Sequence, residues 1–215
     1  YSNDSELSAS GNSQNAKKIN IYNQMSQVLM GHDESGSIRQ FDKDGNIVGG
    51  GTKHTECLFL NFSRLIVKDE IKKGSFSLKL NLSGATSATE NDVEFKDFDA
   101  TANSGYFTNS PAGEYGILYT GSVSGVRNEE EGYGLIFYQA GVCVLTASVF
   151  SSSFLGYDDG DGDDIPFGSQ TNANDKGWLA VATGSDIGAF ADGVRNRFYN
   201  VSFNNTTELN SSIYF

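Results

Sequence analysis

The apolar and polar positions of this chain fall into short blocks, and the least polar block is Tyr133 to Phe150. No charged residue occurs between Gly132 and Tyr157. β-Branched and aromatic side chains dominate the block, as suits a pleated surface. With the two-residue period of a strand, Val142, Val144, Thr146, Ser148 and Phe150 face one way, and Cys143, Leu145, Ala147 and Val149 the other. Both sets are mainly apolar, which predicts one or two core strands with little solvent on either face. A membrane span needs about 20 predominantly apolar residues. Gly134, Gln139, Gly141, Thr146 and the serines at 151–153 dilute the run too far for that.

Other blocks read in the same way. From Ser75 to Leu82, Phe76, Leu78, Leu80 and Leu82 alternate with Ser75, Ser77, Lys79 and Asn81, which predicts a half-exposed strand. Cys57 to Val67 supplies Leu58, Leu60, Phe62, Leu65 and Val67 to the core, and Lys68 to Gly74 reads as a charged turn. Further strands are expected at Val93–Phe98, Tyr106–Phe107, Tyr115–Thr120, Trp178–Thr183, Phe198–Phe203 and Ser212–Phe215. Ser37 to Val48 reads as a hairpin turning at Asp44-Gly45, since such a pair supplies the positive φ a tight turn needs. The triplet Gly49-Gly50-Gly51 follows as a flexible joint.

Ala16 to Met30 has a different period. Ile21 or Tyr22, Met25, Val28 and Leu29 recur at helical spacing, and Gly31 stands where a helix would end. One amphipathic helix is expected, capping the sheet with its apolar face or docking a partner. Residues 1–15 are polar with few apolar anchors and read as an arm that orders only on a partner. The expected fold is therefore mainly β: an antiparallel, sandwich-like core with one N-terminal amphipathic helix and long Gly/Asp-rich loops. Its organisation is an arm at 1–15 and a single β-rich domain at 16–215.

Composition narrows the function. The chain has 215 residues, 25 of them Gly and only 2 Pro, so turns between aromatic strands are favoured over long helices. A formal net charge of −12 argues against nucleic acid, which wants a basic stripe, and against an anionic membrane surface. Cys57 and Cys143 are too few for a disulfide framework and read as buried free thiols. The opening Tyr-Ser-Asn-Asp shows no signal peptide, and the end at Ser-Ser-Ile-Tyr-Phe has no polar tail. A processed product or part of a longer polypeptide is expected.

Candidate chemistry is sparse. Asp158 to Asp164 clusters carboxylates, and Asp159, Asp161 and Asp163 alternate like the first ligands of a calcium loop. Asp164 stands where that loop needs glycine, and Gln170 where it needs a bidentate acid, so a solvated loop is the expectation. Asp42-Lys43-Asp44-Gly45-Asn46 starts like a calcium loop too, but no acid between Ile47 and Lys53 completes it. His32 and His54 lack metal-ligand spacing. The Asn-x-Ser/Thr triplets at Asn61, Asn81, Asn200, Asn204 and Asn205 are those an Asn- and Ser-rich chain produces by chance. Trp178 reads as a core residue. No phosphate loop, serine elbow or dinucleotide fingerprint occurs. No catalytic, cofactor-binding or metal residue is therefore expected, nor any cofactor. A pair of acids set as in a glycosidase stays open at this stage.

Three segments carry a resemblance: Ile21–Gly31 (IYNQMSQVLMG), Asn61–Phe76 (NFSRLIVKDEIKKGSF) and Gly134–Val142 (GLIFYQAGV). They are similar to virion structural proteins of large contractile-tailed phages, particularly those of marine cyanobacteria. The resemblance implies a non-enzymatic component of the tail, baseplate or neck, assembled in the host cytoplasm. It would be multi-copy or homo-oligomeric, with other virion structural proteins as partners and neither nucleic acid nor membrane among them. A receptor- or glycan-binding module on the capsid surface or a fibre is the rival reading, and a polysaccharide-cleaving enzyme a third.

Overall fold

A computed structural model describes residues 13–45, 51–81, 92–101, 105–121, 132–146, 149 and 198–207. In chain order these form helix α1 (Ser13–Leu29), strands β1 (Phe41–Asp42), β2 (Lys53–His54) and β3 (Cys57–Asn61), then a short helix α2 (Arg64–Val67). Strands β4 (Glu70–Ile71), β5 (Ser77–Asn81) and β6 (Asp92–Lys96) follow, then a 3-10 turn (Phe98–Thr101). Strands β7 (Tyr106–Ser110), β8 (Gly113–Thr120), β9 (Gly134–Phe137), β10 (Val142–Thr146), β11 (Phe198–Ser202) and β12 (Asn205–Thr206) complete the series. The fold is mainly β, antiparallel throughout its described pairings, with one long N-terminal helix.

The uncharged block becomes the centre of the sheet. Residues 138–141 turn β9 into β10, and Gly141 takes the positive φ of 65° that such a reversal requires. Every residue of both strands is buried. The expected division of faces holds: Cys143 and Leu145 enter one apolar cluster, Val142 and Val144 the other.

The principal sheet runs β11-β5-β6-β8-β9-β10-β3, with β7 also paired to β8. β8 is long enough to pair with β7 through its first half and with β6 through Tyr119 and Thr120. The sheet curls, because Phe62 just beyond β3 meets Phe76 before β5 and Phe203 beyond β11, with centroids 5.8 and 5.4 Å apart. The ends of the strand path thus close over Leu78, Leu80, Phe95, Leu118, Ile136 and Leu145, all at most 1% exposed. One sheet folded on itself supplies the layers of the sandwich-like core. The small β4–β12 pair lies at the seam, where Lys72 N–H donates to the Asn204 carbonyl at 2.8 Å.

Helix α1 roofs the opposite face of β8, β9, β10 and β3. Tyr22, Ser26 and Leu29 recur at helical spacing and are fully or almost fully buried. Tyr22 meets the Phe41 ring edge-on at 5.5 Å, and its hydroxyl donates to the His54 carbonyl at 2.7 Å. Gly31 ends the helix with φ of 77° and donates its N–H to the Gln27 carbonyl at 3.1 Å.

Five local expectations are corrected. The helix starts at Ser13, not Ala16, so residues 13–15 belong to it and not to an arm. Val28, expected on its apolar face, is 66% exposed because Tyr22, Ser26 and Leu29 define the buried stripe. Leu65 is 90% exposed: the strand ends at Asn61, and Ser63 starts a helical turn by accepting the Leu65 N–H at 3.3 Å. The charged turn contains strand β4, whose Ile71 is fully buried. The hairpin is wider than a tight Asp-Gly turn, since β1 pairs with Lys53–His54, although Gly45 does adopt φ of 72°. The acidic stretch Asp158–Asp164, Trp178–Thr183, Ser212–Phe215 and residues 1–12 lie outside the described residues.

Candidate functional site

The polar half of an alternating strand is the starting point. Leu78 and Leu80 turn inward, so Ser77 and Lys79 must stand on the other face of β5. Its neighbours β6 and β11 put Glu94, Lys96, Asn200 and Ser202 beside them. The register aligns Ser202, Ser77 and Lys96 in one row, and Asn200, Lys79 and Glu94 in the next. Among the described residues, the buried residues of helix α1 pack on the β8–β9–β10–β3 half of the sheet.

A groove of about 480 Å³ lies here, lined also by Lys72, Lys73, Gly74, Ser75, Thr101 and Asn204. Its rim is the turn 72–76. Gly74 has φ of 74°, and a side chain there would strike Thr101. Ser75 ties the turn down, its hydroxyl donating to the Lys72 carbonyl at 2.6 Å and accepting the Asn204 N–H at 3.0 Å.

Asp97 anchors the same turn from below. Its carboxylate accepts the Gly74 N–H at 2.6 Å, the Phe76 N–H at 3.0 Å and the Tyr138 hydroxyl at 3.0 Å. Burial pushes its pKa up to about 6, against the lowering effect of those donors. The group therefore positions backbone, and its oxygens are already taken.

The four lysines differ. Lys73 reaches away to Glu114 and lies 4.0 Å from Glu70, over the rings of Tyr106 at 5.0 Å and Tyr138 at 5.8 Å. Burial opposes its charge, but the bond to Glu114 and the field of Glu70 prevail and raise its pKa. Lys72, Lys79 and Lys96 have no ion-pair partner among the described residues; Lys96 lies 5.7 Å from the Phe98 ring centroid. Glu94, the one acid of the lining, accepts the Ser77 hydroxyl at 2.5 Å.

The candidates from the sequence fall elsewhere. His32 is exposed in a bridge to Ile38, whereas His54 is 1% exposed with neither ring nitrogen hydrogen-bonded. Burial, aided by Lys43, lowers the His54 pKa to about 3. Asp42 is buried and paired with Lys53; desolvation first, then the neighbouring Asp44 carboxyl, raises its pKa. Cys57 and Cys143 are buried free thiols on neighbouring strands, in clusters on opposite faces, and burial pushes both pKa values up. Asn200 and Asn204 line the groove, and the Asn205 amide donates to the Ile66 carbonyl at 2.8 Å. No group of three or more His, Cys, Asp or Glu able to hold a metal gathers among the described residues. None of the described helices is long and apolar enough to cross a membrane.

The sequence pattern marks Ser75, Ser77 and Lys79 only as outward-facing. Their joining with residues some 20 and 120 positions away along the chain depends on strand pairing. Comparison with known protein families, curated proteins and solved structures finds no match to this chain.

Proposed function

We propose that this chain is a non-catalytic, multi-copy structural component of a tailed-phage virion, in the tail, baseplate or neck. The virion reading rests on the resemblance of the three sequence segments. The observation that supports assembly is the contrast between a filled interior and apolar side chains left outside. Leu65 is 90% and Ile66 56% exposed on α2, and Tyr199 is 55% exposed on β11. β11 pairs on one side only among the described residues, so it presents a strand edge to a neighbour. Burying one such large apolar side chain at an interface contributes about 1.5–3 kcal/mol. Copies of this chain or neighbouring virion subunits are the partners such a rim fits.

Leu65→Asp combined with Tyr199→Asp tests the reading. Both sites are exposed, so the melting temperature of the isolated chain should stay nearly unchanged. Incorporation into purified particles and self-association by light scattering should both fall. Equal incorporation of variant and parent would overturn the assembly role, and polysaccharide turnover by the purified chain would overturn the non-catalytic one.

A further inference from the structure

We propose that the groove between the 72–76 turn and the polar face of β5, β6 and β11 binds a short oligosaccharide bearing carboxylates. The inference does not rest on the assembly reading, which uses α2 and the free edge of β11, not the face of β11 that carries Asn200 and Ser202.

Charge distribution is the first support. The chain has 15 Lys and Arg against 27 Asp and Glu, yet four lysines and a single acid line this groove. Glu114 and Glu70 occupy Lys73, which leaves Lys72, Lys79 and Lys96 facing the groove without a carboxylate partner among the described residues. At physiological salt the attraction of these ammonium groups reaches about 8 Å. A small anion inside the groove feels it, while a long, dense polyanion also meets the acidic remainder of the molecule.

The uncharged lining is the second support. Ser77, Thr101, Asn200, Ser202 and Asn204 distribute hydroxyl and amide groups along two rows of the sheet and its rim. A single inorganic ion would engage the lysines and leave that array idle. A sugar ring offers donors and acceptors at several corners and can use both sets. Large apolar side chains are missing from the lining, so an apolar ligand would gain little. The volume of about 480 Å³ falls within the usual range for small-ligand sites.

The third support is preorganisation. Asp97 clamps the backbone of Gly74 and Phe76, and Ser75 ties the turn to Asn204. The rim therefore has its shape before a ligand arrives, which lowers the ordering cost of binding.

Fluorescence anisotropy of labelled trigalacturonate with the full chain tests the proposal. Saturable binding is expected, weakening as salt rises, and weaker by about tenfold or more in Lys79→Glu with Lys96→Glu. Lys79→Gln with Lys96→Gln, a gentler pair, should weaken it in the same direction with an unchanged melting temperature. Maltotriose, the neutral comparison, should compete poorly. Four results would each overturn the proposal: no saturable binding, equal binding by both lysine variants, full displacement by equimolar inorganic phosphate, or equally tight binding of a short oligothymidylate.

Discussion

Asp97 and His54 are buried in the two layers on either side of the sheet, and the layers treat them in opposite ways. In the interior layer, Asp97 receives two backbone N–H groups and a tyrosine hydroxyl. Beneath the helix, His54 is equally buried, yet both its ring nitrogens lack a hydrogen bond. Asp97 holds a turn in place, so its polarity has structural use. The His54 side chain fills space, and its backbone carbonyl makes the useful contacts, accepting the Tyr22 hydroxyl at 2.7 Å and facing the Cys57 thiol at 3.6 Å. Burial alone therefore says little about a polar residue; its partners separate a clamp from a filler.

The pH dependence should expose that contrast. Asp97 has a folded-state pKa raised to about 6, so the folded chain binds its proton more tightly than the unfolded chain does. Its contribution to stability is present below the unfolded value near 3.8 and is lost as pH rises through about 6. His54 has its folded pKa lowered from 6.5 to about 3. The unfolded chain then binds the extra proton, and the His54 contribution is present above pH 6.5 and lost as pH falls toward 3. Across pH 4–6 the two slopes oppose each other and largely cancel.

The largest expected effect concerns the layers themselves. Leu145→Ala, inside the curled sheet, should cost about 2–5 kcal/mol, toward the upper end because paired strands on both sides hinder collapse. Leu29→Ala, at the end of α1, should cost less, because a helix on a sheet can settle into the space. Urea midpoints at constant slope measure both. A larger loss at Leu29 would make the helix–sheet interface the better-packed layer.

Asp97→Asn should come next, at about 1–3 kcal/mol, since an amide offers one acceptor oxygen where the carboxylate offers two. The variant should also lose stability more steeply than the parent as pH falls from 6 to 4, because His54 then acts unopposed. An unchanged pH profile would remove Asp97 from the linkage.

His54→Met should have the smallest effect at neutral pH, below about 1.5 kcal/mol for a swap of similar volume. As pH falls from 6 to 4 its stability should rise, because Asp97 then acts unopposed, with a limiting slope of about 1.4 kcal/mol per pH unit. A variant whose profile over that range matches the parent's would remove His54 from the linkage.

How much of this was legible beforehand follows from the range of the interactions involved. The strands β5, β8, β9, β10 and β11, the burial of both faces of β10 and the helix ending at Gly31 all follow from local periodicity. A strand must alternate its side chains, and an uncharged run must leave water. Buried free thiols at Cys57 and Cys143 were legible for the same reason.

Tertiary structure alone decided the rest. Leu65 and Val67 belong to one apolar block, but Ser63 caps a helical turn that turns Leu65 out and Val67 in. Asp97 looks like any strand-end acid until the Gly74 and Tyr138 donors arrive from 23 and 41 positions away. The groove needs β11 beside β5, a pairing between residues more than 100 positions apart. Side-chain periodicity is written into neighbouring residues, because the backbone geometry that creates it repeats every few positions. Which strands become neighbours is set by the closing of the whole sheet around its core, and no single stretch of the chain contains that information.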